Sequence, residues 1–313
     1  MNGPAERTLD VSDAASRSLL DGIRVVSLSI NTPGPVAAAR LAQLGAAVTK
    51  IEPPGGDPLK RAARGWYDSL CKHQTVLTLD LKSPIERAKL DDLLACSDLL
   101  LASFRPSALQ RLGLDWQSLH RRHPRLCFAG IIGYPPPFEE RSGHDLTYLA
   151  TTGLLSPPRL PLSLYVDLAA AERCVTSALS LLLSFSRTGQ AGCEFVSLYE
   201  CACELAQPLH AGLTRPEGSL GGAYPLYSFY QASDGWIAIA ALEPHFAQRL
   251  LSELGLTSAN RTELERIFRG RTAAAWEHWA AEHDLPLVAV REPGHGGRSG
   301  DREIESSGHP RPS

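Results

Sequence analysis

The chain has 313 residues, 43% hydrophobic and 21% charged, enough for a real core in one large or two modest domains. A formal net charge of −3 excludes a generally basic nucleic-acid binder. The polar start "MNGPAERTLDVSDAASR" reads as no signal peptide, and no apolar run is read as reaching the ~18–20 residues of a membrane span.

Residues 1–20 read as a flexible lead-in. "IRVVSLSI" (23–30) is β-branched and apolar between Gly22 and Asn31, which predicts a buried strand. "PGPVAAARLAQLG" (33–45) carries Pro35 near its first turn and Gly45 past its end, the punctuation of a helix. "AVTKIE" (47–52) predicts a second strand, so the three form a βαβ unit and imply a parallel sheet. "PPGGDPLKRAARGW" reads as a turn leading into a basic stretch. "VLTLDL" (76–81), "DLLLAS" (98–103) and "LCFAGII" (126–132) predict further strands, with an amphipathic helix over 84–97. The first half is therefore α/β and doubly wound.

After "GYPPPFEERSG" the pattern changes. Apolar helices are predicted over 169–187 and 198–212, and a strand over 235–242. Helices follow over 244–254, 261–269 and 272–282, and "LPLVAV" (285–290) predicts a last strand. The expected organisation is a large α/β domain over 21–212 and a smaller α+β domain over 213–290. From 291 to 313 the composition is too polar to bury a core and predicts disorder.

Seven cysteines at irregular spacing read as reduced thiols, hence a cytoplasmic chain. Cys201-x-Cys203 has no matching pair or histidine cluster, so core packing is the reading and no metal is expected. No Gly-x-Gly-x-x-Gly follows the first strand, and no P-loop, HExxH or GxSxG occurs. Lys50, Lys60, Arg61, Arg64, Lys72, Arg105 and Arg111 lie near strand ends, where cations can hold phosphates. A solvated surface explains the same residues, and composition alone favours it. Three ionisable residues stand out. His144 follows a glycine at a helix start, where the helix terminus favours the neutral imidazole. Asp167 precedes a long helix and reads equally as its N-cap. Glu243 ends an alternating strand before Pro244, as a cap or as a partner for an imidazole.

In order from about Leu20 to Pro293, several blocks resemble the class III CoA-transferase family (CaiB/BaiF type), which includes the α-methylacyl-CoA racemases. The blocks are "LDGIRVVSLS", "PGPVAAARLAQLGAAVTKIEPPGGDP", "LTLDLKSP", "SFRPSALQRLGLDWQSLHRRHPRL", "SGHDLTYLATTGLLS", "RTGQAGCEFVSLYE" and "YSFYQASDGWIAIAALEPHF". The resemblance implies a Rossmann-like large domain, a small domain and an interlocked homodimer. It implies coenzyme A, as an acyl-CoA, as the bound molecule, with Lys50, Lys72, Ser103, Phe104, Arg105 and Arg111 toward it. Asp167 matches the family aspartate that is a nucleophile in CoA transfer and a proton base in racemisation. His144 and Glu243 fall on positions that mark the racemase branch. Racemisation of an acyl-CoA at its α-carbon is therefore the first reading. CoA transfer through an Asp167 acyl anhydride is the alternative, and a CoA-binding chain without catalysis is the third. Neither nucleic acid nor membrane is implied as a partner. The chain departs from the family at "GYPPPFEE", where "GYGQDGP" is common, and at "DLAAAER", where racemases are glycine-rich. Gln74-Thr75 replaces a basic pair, and the family chain continues differently beyond "VREP".

Overall fold

The computed structural model of the chain describes residues 18–292. The expectations for the lead-in through 17 and for the tail from 293 lie outside the described residues. The chain divides into two compact units between Ala206 and Gln207.

The first unit runs β1 (Arg24–Ser27), α1 (Pro33–Gln43), β2 (Ala47–Glu52), α2 (Pro58–Ala62), α3 (Arg64–Cys71), β3 (Gln74–Thr78), α4 (Pro84–Ala95) and β4 (Leu99–Ala102). It continues with α5 (Pro106–Arg111), α6 (Trp116–Arg122), β5 (Cys127–Ile132), α7 (Asp145–Thr151), α8 (Tyr165–Thr188), β6 (Cys193–Ser197) and α9 (Leu198–Leu205). Its six strands are all parallel, in the order β3-β2-β1-β4-β5-β6. This is the α/β architecture the sequence predicts. The strand order reverses between β1 and β4, and such a switch point opens a crevice at the carboxyl ends of the strands.

β4 and β5 are buried on both faces, as expected of central parallel strands covered by helices. Val25, Leu99, Leu101, Cys127, Ala129 and Ile131 meet α1 and α8 on one face. Val26, Leu100, Phe128, Leu90 and Leu94 form the core on the other. α8 starts four residues earlier than the periodicity predicts and ends at Gly189, whose φ of 68° closes the helix at little cost. By length and composition α8 is apolar enough to cross a membrane, which corrects the sequence reading that no such run exists. Its stripe Val166, Ala170, Cys174 and Ala178 is buried against the sheet, the packing of a core helix.

The second unit holds α10 (Gln207–His210), β7 (Tyr227–Gln231), β8 (Trp236–Ala240), α11 (Pro244–Glu253), α12 (Arg261–Phe268), α13 (Ala273–Glu282) and β9 (Leu287–Ala289). Its sheet is antiparallel, β7-β8-β9. One face carries Tyr230, Ile237, Ile239 and Leu287 into a core with Leu250, Leu264, Phe268 and Trp276. α2, α3, α5, α6, β6 and β7 carry no prediction from the sequence; the stretch read as a turn and a basic segment forms α2 and α3. β6 is the edge strand and buries only Val196 and Ser197, so its pattern is diluted.

Candidate active site

A cavity of about 560 Å³ opens at the switch point. Its wall is built from the residues following β1 (Ile30, Asn31, Thr32), β4 (Ser103, Phe104, Arg105) and β5 (Gly133). His144, Asp145 and Asp167 complete it.

The sequence "SGHDLTY" explains the placement of His144. Gly143 must be glycine, because a Cβ there would lie 2.5 Å from the Tyr148 ring and hydroxyl. Tyr148 is buried against Tyr134, and this packing fixes the start of α7. His144 is the extended N-cap residue, with φ −141° and ψ 166°. Its backbone N–H donates to Thr147 Oγ1 at 2.9 Å, and that hydroxyl donates back to the His144 carbonyl at 2.8 Å. Thr147 thus closes the helix end, and the exposed imidazole faces the cavity.

Asp145 has a role the sequence reading did not give its side chain. It is buried, and its Oδ1 accepts the backbone N–H groups of Val166 (2.7 Å) and Asp167 (3.1 Å). The N-terminus of α8 is therefore capped from α7, across 21 residues of chain. The N-cap position itself is Leu164, which has no acceptor side chain, and Asp167 lies inside the first turn. Asp167 is thereby freed from the capping role the sequence allowed it. Its carboxyl is pushed up to about 7, first by burial and then by the neighbouring Asp145 carboxylate. Burial also raises the Tyr148 hydroxyl to about 12.

The predicted coenzyme-binding residues separate into two groups. Ser103, Phe104 and Arg105 line the cavity, and Arg105 Nη2 also donates to Ser142 Oγ at 3.0 Å. Lys50, Lys72 and Arg111 do not line it. Lys50 requires a correction: it is 1% exposed, with Nζ 2.5 Å from Asp57 and 3.1 Å from Glu52. A buried ammonium survives only when paired, and its two carboxylates leave no free charge for a phosphate. Lys72 is exposed at the end of α3, on the amino side of β3 and away from the strand ends that form the crevice. Arg111 is exposed in the last turn of α5. Glu243 belongs to the second unit, where it is exposed at the N-cap position of α11 and makes no side-chain capping bond.

Two departures from the family pattern acquire a structural meaning. The "YPPPFEE" loop is tied down through Glu140, which accepts from Ser107 N–H and Oγ, both at 2.8 Å. In "DLAAAER", Ala170 and Ala171 are fully buried in the core, so their methyl groups pack against the sheet rather than fill the cavity. Cys201 is a buried core thiol. Among the described residues, no three metal-capable side chains come together.

A parallel sheet with an exposed imidazole and a buried carboxyl lining its switch-point cavity places the chain among α/β proteins whose ligands bind at the carboxyl ends of the strands. The comparisons make this more specific. Residues 20–296 match CoA-transferase family III, and the chain belongs to that family. It is 34% identical over 258 residues to the α-methylacyl-CoA racemase of Homo sapiens, covering 76% of this chain and 65% of the human protein's length. It is 27% identical over 260 residues to the succinyl-CoA–D-citramalate CoA-transferase of Chloroflexus aurantiacus, covering 75% of this chain and 65% of that protein. A crystal structure of a hypothetical protein from Mycobacterium tuberculosis superposes with a TM-score of 0.76 at 26% identity. That match covers 87% of this chain and 85% of the other.

Proposed function

We propose that the chain is an enzyme acting on acyl-CoA thioesters, and that its reaction is racemisation or epimerisation at the α-carbon by two-base proton transfer. The observation that carries this reading is the shared cavity of His144 and Asp167, with Asp167 tuned to about 7. At neutral pH such a carboxyl is divided between acid and base forms, as a group that alternately takes and returns a proton requires. A carboxylate nucleophile works ionised, so the same tuning would halve its working form at pH 7.

In the proposed reaction one of the two residues removes the α-proton. The electron pair moves onto the thioester oxygen as an enolate. The other residue, in its acid form, returns a proton to the opposite face. The enolate oxygen accepts from the backbone N–H groups of Asp145 and Leu146, which open α7 and so have no carbonyl partner within that helix. Coenzyme A is the substrate's carrier, with Ser103, Phe104 and Arg105 beside the thioester end. A smaller cavity of about 250 Å³ shares Ile30 and Phe104 with the first and has Lys82 in its wall. We assign it to the distal part of the coenzyme. Glu243 is given the task of orienting His144 in an interlocked homodimer; light scattering tests for the dimer, and slower α-deuterium exchange in Glu243→Gln tests the role.

The decisive experiment incubates an α-branched acyl-CoA with the protein in deuterium oxide. α-Deuterium should appear, and His144→Ala should slow its appearance by ~10²–10⁴-fold. Full CoA binding without α-deuterium would overturn the proposal. The likeness to the Chloroflexus CoA-transferase favours a second reading, in which the Asp167 carboxylate attacks the thioester and expels CoA thiolate as the acyl anhydride forms. Hydroxylamine trapping of an acyl group on Asp167, with CoA moving to a free acid, would replace racemisation by that reaction.

A further inference from the structure

The buried Lys50 ammonium is linked to the cavity wall through Asp57. Lys50, Glu52, Asp57 and Tyr67 form one buried cluster beneath the β1–α1 loop. Tyr67 donates its hydroxyl to Glu52 Oε1 at 2.7 Å, and the Lys50 ammonium lies 4.8 Å above the Tyr67 ring. Asp57 is the member that reaches out of the cluster. Its Oδ2 takes Lys50, and its Oδ1 accepts two backbone N–H groups, Leu59 at 2.9 Å and Asn31 at 3.0 Å. Asn31 is one of two non-glycine residues with positive φ among the described residues, at 68°, and it lines the active-site cavity. That conformation carries a steric cost for a residue with a Cβ, smaller for asparagine than for most, and the hydrogen bond from the Asn31 N–H to Asp57 fixes it there.

We infer that Asp57 is a positioning residue for the active site: anchored by Lys50, it holds Asn31 in the left-handed conformation and so sets the wall that receives the acyl-CoA. The inference rests on the CoA reading for its ligand, but not for its geometry. Asparagine at 57 has one acceptor oxygen, so it can satisfy Lys50 or the two backbone groups, not both. Glycine at 31 adopts positive φ without steric cost, so it makes the loop less dependent on Asp57. This gives a double-mutant cycle on Asp57→Asn and Asn31→Gly.

Hydrogen exchange on the unmodified protein comes first and needs no variant. The Asn31 and Leu59 amides share one acceptor, so both should be protected. A fast Asn31 amide beside a slow Leu59 amide would overturn the inference whether or not CoA binds. In the cycle, CoA affinity is read by calorimetry at a temperature where every variant is folded. Asp57→Asn should weaken binding about tenfold, the loss of one charge-assisted hydrogen bond. In the Asn31→Gly background that penalty should largely vanish. An equal penalty in both backgrounds would mean that Asp57 acts only through general stability, and the inference would be wrong. Failure of the unmodified protein to bind CoA would remove the acyl-CoA reading and the ligand part of the inference, while the exchange result would still decide the hold on Asn31.

Discussion

Asp167→Asn should make the protein more stable at pH 8 and leave it unchanged near pH 3. The carboxyl rises from an ordinary value of 3.8 to about 7 in the fold, because burial and Asp145 both disfavour its charge. At about 1.4 kcal/mol per pH unit, this amounts to a penalty of about 4 kcal/mol on the ionised form. Below about pH 3 both the folded and the unfolded chain are protonated, and no penalty exists. As pH rises from about 4 to about 7 the unfolded chain has released the proton that the folded chain retains, so stability falls through this window. Above about 7 the full penalty stands. Asparagine imitates the protonated carboxyl and carries no charge to bury. Because Asp167 opens onto the cavity, solvent screens part of the effect, and about 2 kcal/mol is the gain expected at pH 8. Urea unfolding at pH 3 and pH 8 measures it, with α-deuterium exchange run alongside to show that activity is lost. If the variant is equally or less stable than the parent at pH 8, the burial and the Asp145 repulsion do not act as argued. The expected trade of stability against function is the usual one for a tuned acid–base group.

The remaining predictions follow from neighbouring groups. Asp145→Asn should keep an acceptor for Val166 and Asp167 while removing the second cause of the Asp167 shift. The pH–rate midpoint assigned to Asp167 should then move down from about 7 toward the ordinary carboxylate range; an unmoved midpoint would leave burial as the whole cause. Lys50→Met should destabilise by about 3–5 kcal/mol in denaturant titration, because it leaves two carboxylates buried beside an apolar side chain. Arg105→Ala should weaken CoA binding by calorimetry, whereas Lys72→Ala and Arg111→Ala should not, since neither lines the cavity. Equal losses for all three would return the phosphate role to the exposed surface.

Much of the fold was legible because parallel strands buried on both faces announce themselves locally. "DLLLAS" and "LCFAGII" are apolar runs of strand length between turn residues, and they became β4 and β5 at the sheet centre. β6 escaped because an edge strand exposes half its residues and needs no such run. The residues of the candidate site were legible only in part. His144 and Asp167 stand out by their position before apolar helices, and capping explains each as well as chemistry does. Sequence spacing carries no information on which residue caps which helix across 21 positions, so the exchange of roles between Asp145 and Asp167 was invisible. The same holds for charge. Lysine in a strand pattern reads as a surface cation, because burying one is costly unless partners arrive from elsewhere. Asp57 and Glu52 are those partners, and only the turn after β2 brings Asp57 to the Lys50 ammonium. Local pattern therefore determined the elements, the α/β class and the identity of the residues worth testing. Tertiary structure decided which carboxylate is tuned, which one caps and which cation is spent inside, because each depends on neighbours distant in the chain.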